Sequence, residues 1–218
     1  MLKSKKNVFW EALLVAGVIF IFGLLLGFAL ESQRVEQVNQ YYGQSEITLM
    51  DSFVANKVIE LEKANCENFK ELTINLADNV YEEAKILDKY EGTRRVTEGI
   101  VLAHKRYDLL RTLLWLSIID LKKQCPFDFN TVVYLYEQET EDLAKKATQN
   151  VWSKILFELK TKKGDEIILI PISIDDNIAS LNALTNIYEI KKFPAVIINE
   201  ETIIYDLQNI EELEKYLL

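Results

Sequence analysis

The side chains that could carry chemistry are few and widely spaced. The chain has two cysteines, Cys66 and Cys125, and one histidine, His104. A hydrolase triad would have to use His104, and no His/Cys cluster has the spacing of a zinc site. His104 lies in a helical stretch and reads as a polar-face or internally satisfied histidine; as a catalytic base it has no visible partner. Thiol–disulfide exchange usually needs two cysteines two residues apart at a helix start, where the dipole lowers the thiol pKa and the second thiol resolves the mixed disulfide. No CxxC occurs. Four carboxylates, Glu137, Glu139, Glu141 and Asp142, cluster at the start of a helical stretch. They read either as complements to the helix dipole or as an acidic binding rim for a cation, without the EF-hand loop that would specify calcium. The sequence therefore assigns no catalytic, metal or cofactor-binding residue, and an enzyme is the less favoured of the readings it leaves open.

Cys66 and Cys125 flank a stretch with a turn signal at Gly92-Thr93. They sit at unequal distances from it, a mismatch of roughly 10 Å at a helical rise of about 1.5 Å per residue. A kink near Asn65-Cys66 closes that gap, and outside the cytoplasm such a bridge survives. A structural disulfide is the preferred reading, followed by two buried thiols and then by a redox-active pair.

These residues depend on elements that begin with a membrane anchor. Ala12 to Leu30 has no charged residue and no Asn, Gln or Pro. As a helix it covers roughly 28 Å, the hydrocarbon thickness of a bilayer, and only a helix satisfies its own backbone there. Lys3, Lys5 and Lys6 precede it, and Trp10 sits where an interfacial aromatic belongs. The positive-inside rule then predicts a single-pass plasma-membrane protein with a cytoplasmic N-terminus and extracytoplasmic domains. A cleaved signal peptide, using Gly27 and Ala29 as the small-x-small site, is the rival reading. The net charge of −9 and the lack of basic stretches interleaved with aromatics argue against nucleic acid as a partner.

Beyond the anchor the pattern is helical to Cys125, and all three prolines lie at or after position 126. Gly43 and Ser45 suggest a break, with Ser45 a possible N-cap. Leu49, Met50, Phe53, Val54, Val58 and Leu61, then Phe69, Leu72, Leu76, Val80, Tyr81, Ala84 and Leu87, recur at helical spacing and predict buried stripes. Val96 to Leu121 predicts a third, largely buried helix. The expected assembly is an all-α helical hairpin over residues 31–125, turning near Gly92. After Cys125-Pro126 the pattern changes. Strands are predicted at Thr131–Tyr136, Glu166–Ile174, Ala195–Ile198 and Thr202–Tyr205, and helices at Glu141–Lys162, Ile178–Tyr188 and Ile210–Leu218. The order over residues 126–218 is β-α-β-α-β-β-α, preceded by residues 1–30 as N-terminus and anchor.

The stretch Ile172 to Ile198 carries a family likeness. Ile174-Asp175-Asp176 resembles a strand ending in an acidic turn, Leu181 to Ile190 resembles a helix and loop, and Lys191-Lys192-Phe193-Pro194-Ala195-Val196-Ile197-Ile198 is similar to a cis-proline loop leading into a strand. Together with the element order, these make residues 129–218 resemble the thioredoxin fold. The resemblance implies an α/β thioredoxin-like domain whose redox cysteines are missing, because Glu137 to Lys146, where they belong, contains none. It also implies that Phe193, Pro194 and Ala195 form a peptide-binding segment, since that family offers the backbone before its cis-proline to an extended chain and strand addition needs no thiol. The alternative is that Pro194 only shapes a turn.

Three functions follow as expectations. The first is a membrane-tethered, non-catalytic module that binds a protein or peptide, with the bilayer as its other partner through residues 12–30 and no cofactor. The second is a component of thiol–disulfide exchange using Cys66 and Cys125 or a partner's CxxC. The third is a structural or assembly subunit.

Overall fold

The computed structural model describes residues 5–59, 66–91, 98–125, 129–175 and 177–217. Its elements are α1 (Lys5–Ile59), α2 (Cys66–Glu91), α3 (Glu98–Gln124), β1 (Asn130–Tyr136), α4 (Leu143–Lys163), β2 (Ile167–Ser173), α5 (Ala179–Ile187), β3 (Ala195–Ile198), β4 (Thr202–Ile204) and α6 (Ile210–Leu213). Short 3₁₀ turns at Gly164–Glu166 and Glu214–Tyr216 follow α4 and α6. The chain divides into one unit up to Gln44 and a second from Ser45 onward.

The first unit is helical. Phe9–Leu30 within α1 is long and apolar enough to cross a membrane. Its large side chains, such as Phe20, Phe22 and Phe28, are exposed, as lipid-facing residues are. The helix break expected at Gly43-Ser45 does not occur, because α1 runs unbroken over 55 residues. One glycine among good helix formers costs about 1 kcal/mol relative to alanine, which is too little to end a long helix.

In the second unit a four-stranded sheet has the order β2-β1-β3-β4. β1 and β2 are parallel, in register from Asn130↔Ile167 to Tyr136↔Ser173. β3 is antiparallel to β1, with Val132 opposite Ile198 and Leu135 opposite Ala195, and β4 is antiparallel to β3. Alternate side chains point to opposite faces. Val133, Leu135, Ile168, Ile170, Ile172 and Ile197 share one core with Leu110, Leu114 and Ile118 of α3 and Leu181 and Leu184 of α5. Ala77 and Val80 of α2 join the same core. Val132, Tyr134, Ile167, Val196, Ile198 and Ile204 pack on the other face against Trp152, Leu156 and Leu159 of α4 and Leu213 of α6. The sheet is thus buried on both faces, and for that reason β2 reads as an almost unbroken apolar run.

Cys66 and Cys125 form a disulfide with a Cα–Cα distance of 5.7 Å. It joins the first residue of α2 to the residue after α3, so the two helices run antiparallel. The turn expected at Gly92 and the kink at Asn65 lie outside the described residues, as does Pro126, but α3 stops at Gln124, at the expected Cys125-Pro126 limit. α2 also meets α4, through the stacked rings of Tyr81 and Phe157 and an ion pair between Lys160 and Asp78 at 3.6 Å. In the first predicted buried stripe Met50, Phe53, Val54 and Val58 are exposed rather than buried, and the side chains of Leu49 and Leu61 lie outside those described. Helical spacing reports an apolar face without saying what covers it.

Candidate functional site

β1 ends at Tyr136 and the antiparallel β3 begins at Ala195, opposite Leu135. The loop 137–142 into α4 and the segment 191–194 into β3 therefore meet at one end of the sheet. The Phe193–Pro194 peptide is cis, and Pro194 is buried. Phe193 is half-buried, while Lys191 and Lys192 are exposed. The Lys192 ammonium lies over the Tyr205 ring, 4.9 Å from its centre, where the chain leaves β4.

Antiparallel pairs alternate between hydrogen-bonded and non-bonded. The Asn199 N–H donates to the Thr131 carbonyl at 2.9 Å, which makes 131/199 a bonded pair. The same alternation makes 133/197 and 135/195 bonded pairs, and the next position along is Glu137 opposite Phe193. There the ladder stops. The Glu137 N–H donates instead to the side-chain Oε1 of Gln149 at 2.9 Å, and Gln149 Nε2 donates to the Glu137 carbonyl at 2.7 Å. Gln149 is buried on α4, and its own carbonyl accepts from the Tyr134 hydroxyl at 3.1 Å. Burial pushes the Tyr134 phenol above its ordinary pKa, so it remains a donor. Phe193 is left without its ladder partner. Among the described residues, the main-chain N–H groups of Lys191, Lys192 and Phe193 and the Phe193 carbonyl make no hydrogen bond.

The four predicted carboxylates have separate tasks. Asp142 caps α4, accepting from the N–H groups of Ala144 and Lys145 at 2.9 and 3.2 Å. Glu137 pairs with Lys145 at 2.8 Å, and that hydrogen bond raises the lysine above its ordinary pKa. Glu139 and Glu141 are exposed. Among the described residues, no three His, Cys, Asp or Glu side chains converge as metal ligands do.

Two residues that shape this end were not assigned roles from the sequence. Gln149 is one. It stands three residues before Trp152 in the buried stripe of α4 that continues through Leu156 and Leu159. A polar residue in phase with an apolar stripe is a local inconsistency that marks a buried polar contact. Asp175 is the other: one of its carboxylate oxygens accepts the N–H of Gln138 and, at 2.9 Å, that of Glu139, holding the loop before α4. Asp176 lies outside the described residues. His104 is half-buried on α3.

Cys125 lies at the other end of the fold. Lys122, in the last turn of α3, contacts Asn199 and Glu200 in the turn after β3, at 3.3 and 3.1 Å. The disulfide is therefore not part of the Phe193 site. Comparison with protein-family models, curated proteins and solved structures finds no match.

Proposed function

We propose that this is a membrane-anchored protein whose extracytoplasmic, thioredoxin-like but non-redox domain binds an extended peptide or protein segment at Phe193. The observation that carries the reading is the interrupted ladder at Glu137. Gln149 occupies the main chain of Glu137, leaving the Phe193 N–H and carbonyl as an open donor–acceptor pair beside a half-buried ring. An incoming extended chain completes the ladder by strand addition.

The sheet order, the parallel β1–β2 pair and the placing of α4 and α6 on one face with α5 on the other support the thioredoxin-like reading. The Cys66–Cys125 disulfide supports an oxidising compartment, in agreement with the N-terminal lysines. It also favours binding over thiol exchange, since Cys125 is buried and both sulfurs are engaged with each other away from Phe193.

The test is hydrogen exchange on the full chain in bilayer discs, with a panel of extended peptides. Binding should slow exchange at Lys191–Phe193. Peptides that bind and protect other amides only, or a panel with no binder, would refute the reading. The orientation has its own test: protease added to intact cells should cleave beyond residue 31, and full protection until lysis reverses it.

A further inference from the structure

Lys191 and Lys192 immediately precede Phe193, and both are exposed. They are the only cations in residues 164–214, a stretch that carries eleven carboxylates. Among the described residues Lys191 has no ion pair or hydrogen bond, and Lys192 has only the Tyr205 ring, 4.9 Å from its ammonium. Glu189, two residues before Lys191, is exposed and pairs with neither. The two lysines therefore stand, without a carboxylate of their own chain, beside the open main-chain groups of Phe193. We infer that the extended segment bound at Phe193 is an acidic one from another protein, with its carboxylates just after the residue that bonds to Phe193. The inference rests on the peptide-binding reading of Phe193 and adds the chemical class of the ligand.

The position of the carboxylates follows from strand direction. A segment that completes the ladder takes the lane of β1 and runs antiparallel to β3, as β1 does. The residue that bonds both main-chain groups of Phe193 is then followed by residues opposite Lys192 and Lys191. Side chains opposite each other across an antiparallel pair are close enough for opposite charges to attract. The other border limits where acid is tolerated. Residues before the Phe193-bonded position lie toward the loop 137–142, where Glu139 and Glu141 are exposed and Lys145 is already engaged by Glu137. Carboxylates there meet like charge, so the ligand is acidic on one side only. A membrane surface fits less well. Lipid phosphates would answer the two ammonium groups but would leave Phe193 without a strand to complete its donor–acceptor pair.

The experiment uses the full chain in phosphatidylcholine discs at low salt. The probes are labelled peptides of one extended Thr/Val sequence, with Glu-Glu, Gln-Gln or Lys-Lys after the central residue, and a fourth with Glu-Glu before it. Fluorescence anisotropy gives affinity, and hydrogen exchange gives the place of binding. The Glu-Glu peptide should bind about 2–30-fold tighter than Gln-Gln, the range for two exposed ion pairs. Lys-Lys should bind weakest, Glu-Glu before the centre should gain nothing, and added salt should shrink the differences. Lys191→Gln with Lys192→Gln should abolish the preference while the Gln-Gln peptide still slows exchange at Phe193. Lys191→Glu with Lys192→Glu should reverse it in favour of Lys-Lys, which loss of folding cannot mimic. Equal affinities of peptides that all protect Phe193, or a preference unchanged in the K191Q/K192Q chain, would overturn this inference and leave the peptide site standing. No protection of Phe193 by any peptide would overturn the peptide site and this inference with it. Slowed exchange at Lys191–Phe193 on adding phosphatidylglycerol to the discs, with no peptide present, would assign the lysines to the membrane and overturn it as well.

Discussion

Gln149 holds both main-chain groups of Glu137 with its side-chain amide, at 2.9 and 2.7 Å, and so takes the place of the strand residue that Phe193 would otherwise supply. A single buried side chain thus decides where β-sheet pairing ends. At neutral pH this takes an amide, because the contact needs one acceptor and one donor on the same carbon and an ionised carboxylate only accepts.

Gln149→Glu keeps the size and the acceptor but puts a second acceptor against the Glu137 carbonyl. Gln149→Ala leaves both groups unanswered. Each should cost about 1–3 kcal/mol in chemical denaturation, the penalty for buried polar groups left unbonded. The glutamate variant should improve at acid pH, when its carboxyl is protonated and can donate. A glutamate variant equal to wild type at neutral pH would show that the amide contact adds nothing.

The Cys66–Cys125 bridge closes a loop with a sequence separation of 59 residues. In the chain-entropy model a bridge of that span contributes about 4 kcal/mol. Cys66→Ser with Cys125→Ser should therefore lower the urea midpoint clearly, and reduction of the wild type should lower it to the same value. An unchanged midpoint would mean that the small cluster of Phe69, Leu121 and Cys125 holds α2 without the bridge.

Asp108 and Arg111 on α3 are 1% and 6% exposed and paired at 3.1 Å. The same Asp108 oxygen accepts the N–H of Ser173, the last residue of β2, at 3.1 Å. The arginine lies over the Tyr107 ring, 3.9 Å from its centre. Burial opposes the arginine's charge, but Tyr107 and Asp108 outweigh it and hold the group above its ordinary pKa. Asp108→Leu should cost about 3–5 kcal/mol, because it strands a buried charge. Adding Arg111→Leu should recover part of that loss. A double variant as unstable as the sum of the single variants would assign the cost to Ser173 and packing instead.

Much of this fold could be read from the residues, and the reasons are local. β2 is apolar at nearly every position because both of its faces are covered, and α4 carries an unbroken stripe from Trp152 to Leu159. Ala195–Ile198 matches its predicted limits because the β-branched run has Pro194 before it and a turn after it. The expected closing helix, by contrast, is one α turn and one 3₁₀ turn, with Leu213 its only fully buried side chain. The stripe on α1 was legible as apolar, but not as uncovered within the chain. The roles of Gln149 and Asp175 depend on partners 12 and 37 residues away in sequence. The place of Gln149 in the apolar stripe marks a buried polar contact without naming its partner, and spacing along the chain carries no sign of the Asp175 contacts.

The turn between β3 and β4 sets two physical effects against each other. Asn199 and Glu200 both have left-handed backbones, at φ 52° and 62°, a region that glycine enters without steric cost and other L-residues enter at about 1–2 kcal/mol, with asparagine the most tolerant. Glycine at either position would therefore relieve the backbone. Asn199, however, accepts from the Thr131 N–H at 3.0 Å and from Lys122 at 3.3 Å, and donates to Asn130 at 2.8 Å. At about 0.5–1.5 kcal/mol each, those bonds together exceed the backbone gain. Glu200 has one ion pair, to Lys122 at 3.1 Å. Asn199→Gly should destabilise the protein by about 1–3 kcal/mol, whereas Glu200→Gly should stay within about 1 kcal/mol of wild type, since losing a partly exposed ion pair offsets the relief. Denaturation midpoints of the two variants give the ranking. If Glu200→Gly is the more damaging, the Lys122 pair outweighs the Asn199 bonds and this account of the turn is wrong.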